Sequence, residues 1–131
     1  MALIPTLILK DSTTFSDEVS FSVTDSLTVT APAQSLSTAI VTTTGGNHTI
    51  ITAATGIRYL FVRHTGLTGA DATTTSTARL DVEDEDNNTL VALSTGEFAF
   101  FPCSVAAASK AIQLQSSSGN IKVEYAYWTK G

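Results

Sequence analysis

The chain has 131 residues, of which 43% are hydrophobic, 15% are charged and 36 are serine or threonine, and its formal net charge is −5 at pH 7. This length fits one domain, and the hydrophobic fraction excludes general disorder. Seven basic residues against twelve acidic ones supply no basic face for nucleic acid, and the lone Cys103 excludes an internal disulfide.

Residues 1–10 are an apolar segment that contains Pro5 and ends at Lys10. The segment lacks the basic n-region and the small-residue cleavage site of a signal peptide. No stretch of the chain reaches the roughly 18 apolar residues that a membrane helix needs. An apolar strand with proline fits a sheet edge, which is the favoured interpretation, or an arm on a neighbouring subunit. For the arm, the candidate interface residues are Leu3, Ile4, Leu7 and Ile8.

Apolar residues with a period of two dominate the chain from residue 19 onward. Val19, Phe21 and Val23 alternate with hydroxyl residues, a pattern typical of a strand with one buried face. Clusters of Gly, Asn, Asp and Ser separate the short runs, as turns do. The predicted strands lie at 19–24, 27–31, 39–43, 49–53, 58–63, 77–84, 89–94, 97–101, 111–115 and 121–128.

About eight to ten short antiparallel strands predict an all-β fold, a single-domain β-sandwich or jelly roll, with a barrel as the third option. The domain spans residues 11–131, preceded by the strand or arm at 1–10. No window gives a persuasive amphipathic helix, although 105–110 fits either one helical turn or a loop. Residues 70–77, with three consecutive threonines, are the best candidate for a mobile loop.

Candidate catalytic and metal-binding residues are few. Cys103 with His48 or His64 could form a nucleophile and base, but no supporting motif surrounds them, and Cys103 after Pro102 fits a small buried apolar residue better. Two histidines and one cysteine far apart do not fit a zinc site. We therefore expect no catalytic residues and no cofactor.

An acidic run at 81–86 is the one place where Ca²⁺ could find several oxygen ligands. Its spacing departs from the EF-hand loop, however, and a hairpin explains it better. In that hairpin Leu80 and Val82 point inward, Asp81 and Glu83 point outward, and residues 85–88 form a solvated turn.

Aromatic residues concentrate near the end of the chain. Phe98, Phe100 and Phe101, or Tyr127 with Trp128, could form a stacking platform for sugars or single strands. Because Phe98 and Phe100 alternate with Ala99, and Val123, Tyr125 and Tyr127 alternate with Glu124 and Ala126, core or subunit packing is favoured.

Three segments resemble pieces of the small β-rich virion structural proteins of tailed bacteriophages. They are the step Gly96-Glu97-Phe98-Ala99-Phe100-Phe101-Pro102, the run at 111–115, and the strand Asn120-Ile121-Lys122-Val123-Glu124-Tyr125-Ala126-Tyr127. The order of elements matches over roughly the last 75 residues, and before Ile57 only the composition does. No catalytic motif accompanies the resemblance.

The resemblance implies a capsid decoration, or cement, protein that is assembled in the host cytoplasm and resides in the virion. Its implied partners are further copies of itself, as a trimer, and the major capsid protein or other virion proteins, with no nucleic acid and no membrane. The arm and the loop at 66–77 would make the contacts. A neck or tail component, such as an adaptor, tube or fibre module, is the nearest alternative, and a carbohydrate-binding β-sandwich is an alternative of another class.

Overall fold

The computed structural model describes residues 6–9, 19–22, 27–31, 36–43, 47–53, 58–69, 71, 73–103 and 110–130. All the regular secondary structure in these ranges is β-strand, so the predicted all-β fold is confirmed. None of these residues belongs to a helix that could cross a membrane. In chain order the strands are β1 (Thr6–Leu9), β2 (Val19–Ser22), β3 (Leu27–Ala31), β4 (Ser37–Val41), β5 (His48–Ile51), β6 (Arg58–His64), β7 (Leu80–Asp84), β8 (Thr89–Leu93), β9 (Phe98–Cys103), β10 (Ile112–Ser116) and β11 (Ile121–Lys130).

Two antiparallel sheets form the sandwich, and a third, two-stranded ladder contains only β1 and β2. One sandwich sheet has the order β5-β10-β7-β8, which we call the acidic sheet because it carries Asp81 to Asp86. The other has the order β3-β11-β6-β9, and β4 also pairs with β11. We call this five-stranded sheet the aromatic sheet.

β11 is the longest strand and organises the aromatic sheet. One of its edges pairs with β6 from Val123 to Thr129. Its other edge pairs first with β4, over Ile121 to Tyr125, and then with β3, over Tyr127 to Lys130. β6 in turn pairs with β9, so β6 and β11 are the inner strands and β9 lies at an edge.

The core lies between the two sandwich sheets and is built by alternate residues of each strand. Leu60 and Val62 of β6 contribute from the aromatic sheet, and Leu80 and Val82 of β7 from the acidic sheet, all fully buried. Among the residues whose burial the structure describes, the remaining fully buried apolar side chains are Val41, Ile112, Leu114, Ile121 and Val123.

Each of the ten predicted strand segments overlaps one of the strands β2 to β11, with ends that differ by a few residues, which confirms the period-two interpretation. β1 falls within the predicted N-terminal strand or arm, and among the described residues it pairs with β2 alone. Of the segment at 105–110, predicted as one helical turn or a loop, residues 105–109 lie outside the described residues.

Candidate functional site

The outer face of the aromatic sheet carries five aromatic residues on three adjacent strands. In β6 the core-facing positions are Leu60, Val62 and His64, so the residues between them lie on the outer face. The register pairs Phe61 with Phe100 of β9 and with Ala126 of β11, and cross-strand partners share a face. We call the set Tyr59, Phe61, Phe98, Phe100 and Trp128 the aromatic face.

Two members of the aromatic face are exposed despite their size. Phe98 is 61% exposed and Phe100 is 38% exposed, and the other three are partly exposed. Of the two favoured interpretations, core packing is therefore wrong for Phe98 and Phe100, and subunit packing stays a prediction. The core-facing residues of β9 are Ala99, Phe101 and Cys103, which are the alternate set.

The aromatic rings contact one another across the strands. Tyr59 stacks on Phe100 with 5.7 Å between ring centroids and 24° between ring planes, and Phe100 meets Trp128 edge to face at 6.0 Å. Phe61 and Phe98 are 6.2 Å apart. Tyr59 and Phe100 each cover part of the other's ring face. The cluster therefore forms a raised apolar surface, which we call the ridge, and it does not expose a row of free ring faces.

The C-terminal aromatic residues divide between the two faces of β11. Tyr125 and Tyr127 are partly buried and pack against the core beside Val123, as predicted. Trp128 belongs to the aromatic face, so Tyr127 and Trp128 do not form the exposed pair that a sugar-binding site would need. Beside the ridge Arg63 pairs with Glu124, with 3.3 Å between Nη1 and Oε2, which gives the apolar surface a polar margin.

The predicted interface residues Leu7 and Ile8 lie in β1. Leu7 pairs in register with Phe21, and Ile8 pairs with Ser20. Leu3 and Ile4 lie outside the described residues.

Cys103 and His64 cannot form a catalytic pair. Cys103 is opposite Arg58 at one end of β6, and His64 is at the other end, six residues or about 20 Å away along the strand. Burial raises the pKa of the Cys103 thiol to about 11, which opposes formation of the thiolate. His48 is exposed on the acidic sheet. The structure therefore places Cys103 as a buried apolar residue, as predicted.

The acidic run forms the predicted β7–β8 hairpin, with Leu80 and Val82 in the core. The carboxylate of Asp84 accepts hydrogen bonds from the backbone N–H of Asp86 and from both the backbone and the side chain of Asn88. These Asn88 bonds hold the pKa of Asp84 below its ordinary value. In addition, Lys110 pairs with Asp86 and the backbone N–H of Ala111 donates to Glu85. Within the described ranges no three His, Cys, Asp or Glu side chains are grouped to hold a metal ion.

Asp81 and Glu83 lie on the outer face of the acidic sheet, as predicted, but they are buried there. Arg79 donates two hydrogen bonds to Asp81, at 2.8 and 2.9 Å. Glu83 is only 4% exposed, and its Oε2 has no hydrogen-bond partner. Burial raises the pKa of Glu83, and the negative charges of Asp81 and Asp84 raise it further. Ionisation of Glu83 therefore destabilises the folded state.

The loop at 66–77 is closed at its base by hydrogen bonds. Ser76 N–H donates to Gly66 O at 2.8 Å, and Thr68 N–H donates to Thr74 O at 3.0 Å. Asp71 accepts from the backbone and the hydroxyl of Thr74. The predicted mobility of residues 70–77 stays a prediction, because these bonds fix the local turn and not the timescale of its motion.

Fully buried His64 connects this loop to the strands on either side. Its Nδ1 accepts the N–H of Gly66 at 3.0 Å, so its Nε2 carries the hydrogen and donates to Ala78 O at 2.9 Å. Gly66 has φ of +83°, which disfavours any side chain at that position. The histidine is therefore a structural residue, satisfied on both ring nitrogens.

The aromatic face is the strongest candidate for a functional surface in the described part of the chain. The sequence signal that could have found it is the unbroken apolar run Phe98-Ala99-Phe100-Phe101-Pro102-Cys103, since an edge strand that is apolar at every position must present apolar residues on both faces. A search with the sequence matches no protein-family model and no curated protein.

Proposed function

We propose that this chain is a non-enzymatic structural protein of a tailed-phage virion, a head decoration protein that stabilises the shell through subunit contacts. The resemblance of 96–127 to such proteins supports the phage context. The exposed aromatic face supports an assembly role, and it is the observation that carries the proposal.

Large aromatic side chains on a surface are costly unless something covers them. Phe, Tyr and Trp are enriched in the cores of protein interfaces, where a polar margin commonly surrounds them. Burying a phenylalanine completely is worth about 1.5–3 kcal/mol, so covering Phe98 and Phe100 supplies part of the binding free energy of a specific contact. The Arg63–Glu124 ion pair beside them is exposed enough to stay solvated.

The mechanism is adhesive. A protein that binds the assembled shell better than its free subunits shifts the equilibrium toward the assembled state by mass action. Many hydroxyl side chains and a low density of charge allow neighbouring copies to approach without strong repulsion. No chemical step is involved, so the specificity lies in the shape and polarity of the contact surface.

The test is cosedimentation with expanded, undecorated heads of the phage that encodes the chain. The wild-type protein should sediment with the heads, saturate them and slow their disruption by heat. The double variant Phe98→Ser/Phe100→Ser should lose most of this binding. Leu90→Ser is the matched control, because Leu90 is 45% exposed but lies on β8 of the other sheet.

Three outcomes would contradict the proposal. Wild-type protein that ignores the heads and forms ring-sized or filamentous assemblies would point to a neck or tail component. A glycan-array signal that Trp128→Ala abolishes would favour a carbohydrate-binding module. Equal loss of head binding in Leu90→Ser and in the double variant would show that the aromatic face has no special part in assembly.

A further inference from the structure

β9 has one open edge in the aromatic sheet. It pairs with β6 on one side, and in the described part of the chain no strand pairs with its other side. Ala99 and Phe101 pack against the core but stay partly exposed, and Pro102 is exposed, so solvent reaches this edge. An open edge presents unpaired backbone N–H and C=O groups, which are a template for another strand.

The hydrogen bonds to β6 identify which residues of β9 direct their backbone groups to the open edge. His64 N–H donates to Glu97 O at 2.9 Å, so the backbone of Glu97 is directed toward β6. Along an antiparallel strand this direction alternates from one residue to the next. Ala99 is therefore also directed toward β6, and the N–H and C=O groups of Phe98 and Phe100 are directed to the open edge.

The position of Pro102 agrees with this assignment. It belongs to the same alternate set as Phe98 and Phe100, so the N–H that proline lacks would have pointed away from β6. Within sheets, proline is confined to such positions because elsewhere it removes a donor from the ladder. Free donors on the open edge of β9 are consequently confined to Phe98 and Phe100.

We infer that β9 of one copy pairs antiparallel with β9 of a second copy, so that two aromatic sheets join edge to edge. The occupant is a second copy because the free stretch is complementary to itself. With Ala99 at the two-fold axis, Phe98 is directly opposite the second copy's Phe100, and the reverse pair is identical. Each pair exchanges both of its N–H···O=C bonds, so every backbone group of the two stretches is satisfied.

The proline favours this register over the neighbouring one. A two-fold axis at Phe100 would place Phe98 opposite the second copy's Pro102, which has no N–H to donate to the Phe98 carbonyl. An axis at Ala99 places Pro102 opposite Gly96 instead. No atom lies within 4 Å of the point where a Cβ of Gly96 would be, so the proline ring has room there.

The side chains favour the same contact. A two-fold axis perpendicular to the sheet keeps both outer faces on one side, so each pair in the contact joins two phenylalanine rings, a stabilising cross-strand pair. Phe98 and Phe100 are 61% and 38% exposed and therefore available for it. Edge strands that avoid such pairing commonly carry a charged residue, and β9 contains none.

The inference goes beyond the proposed function and does not depend on it. Pairing of identical edges closes at two copies and leaves neither β9 edge open, so the product is a dimer and not the trimer that the phage resemblance implies. The dimer carries two aromatic faces side by side on one continuous sheet, which doubles the apolar surface that a further partner could cover.

The first test is cysteine crosslinking at the two-fold axis. Ala99→Cys is combined with Cys103→Ala, so that each full-length chain has one thiol. Opposite residues that are not hydrogen-bonded to each other have Cα atoms about 4.5 Å apart, which a disulfide can bridge. Mild oxidation should give a covalent dimer as the main product. The control is Ala92→Cys in the same background, because Ala92 is exposed on β8, an edge strand of the other sheet, and it should stay mostly monomeric. Equal crosslinking of the two variants, or none at position 99, would overturn the inference.

The second test separates backbone pairing from burial of the ring. Phe98→Ser and Phe98→Pro both remove the ring, but only the proline also removes the N–H that points to the open edge. Light scattering over a dilution series should give a dimer for the wild-type chain and a dissociation constant at least tenfold larger for Phe98→Pro than for Phe98→Ser. A monomeric or trimeric wild-type chain, or equal constants for the two variants, would overturn the inference.

Head cosedimentation of the same samples separates failure of the inference from failure of the proposed function. A wild-type dimer that does not bind heads would refute the decoration role and leave the edge pairing standing. A wild-type monomer that binds heads would refute the edge pairing and support the decoration role.

Discussion

Glu83 holds its charge where water barely reaches it, and this gives the stability of the protein a definite pH dependence. Its pKa is raised above the ordinary value of 4.5, chiefly by burial. As the pH rises from 4.5 through that raised pKa, the unfolded chain loses its proton first, so the folded state becomes relatively less stable.

Glu83→Gln should therefore raise the melting temperature at pH 7 and have a smaller effect at pH 4, because the amide removes the buried charge. Thermal unfolding at both pH values measures this directly. Glu124→Gln is the control, since its carboxylate is partly exposed in an ion pair with Arg63. A lower melting temperature of Glu83→Gln at pH 7 would mean that Arg79 and the Thr89 side chain, which both lower this pKa, stabilise the ionised carboxylate by more than burial costs it.

The pH dependence of stability that Asp84 contributes should have the opposite sign to that of Glu83. Its pKa is held below the ordinary 3.8 by hydrogen bonds from Asn88 first, and then from Asp86. This contribution to stability is present above pH 3.8 and is lost as the pH falls through the lowered pKa. Asp84→Asn should destabilise the protein in urea unfolding at pH 7, and the penalty should shrink as the pH falls below 3.8. A penalty independent of pH would assign the effect to the turn geometry alone.

His64 illustrates a buried polar residue that cannot be replaced by a hydrophobic one of similar size. His64→Leu would leave the Gly66 N–H and the Ala78 carbonyl without partners. Leaving two buried backbone groups unsatisfied should cost about 2–6 kcal/mol. The matched substitution His48→Leu, at an exposed position, should change stability by less than about 0.5 kcal/mol. Urea midpoints compare the two, and equal values would contradict the structural role of His64.

At the scale of the strands, sequence periodicity predicted where strands lie more reliably than which face they bury. Period two assigns Val123, Tyr125 and Tyr127 to the core correctly, because Glu124 and Ala126, which alternate with them, are polar or small. Core packing of Phe98 and Phe100 is a wrong prediction, because both alternate sets of residues in β9 are apolar and the period-two pattern then does not show which set is buried. Packing of Ala99 and Phe101 on the opposite sheet decides the matter, and a single strand does not contain that information.

The sequence also does not predict that Asp81 and Glu83 are buried. Outward positions on a strand are solvated or covered depending on what flanks them, and β7 lies between β8 and β10. The aromatic face is formed by three strands from distant parts of the chain. It could not be predicted without knowing that β6 pairs with β9 and with β11.

At the scale of the whole molecule, an assembly held by aromatic burial should tolerate salt. The mass measured by sedimentation at about 0.1 M and at about 0.5 M sodium chloride should be the same, since screening weakens exposed ion pairs and leaves apolar contacts intact. Dissociation at the higher salt concentration would show that the charges of Arg63 and Glu124 dominate the contact.

The position of β11 in the aromatic sheet also bears on how the protein is made. This strand joins β6 on one edge to β4 and β3 on the other, yet it follows all of them in the chain. During synthesis on a ribosome, β3, β4 and β6 cannot pair with β11 until residues 121–130 have left the exit tunnel. Their apolar faces and open edges are exposed during that interval, and closure then depends on contacts between distant residues, which form slowly. If the protein is made in many copies, incomplete chains must be prevented from aggregating until β11 has been synthesised and has paired.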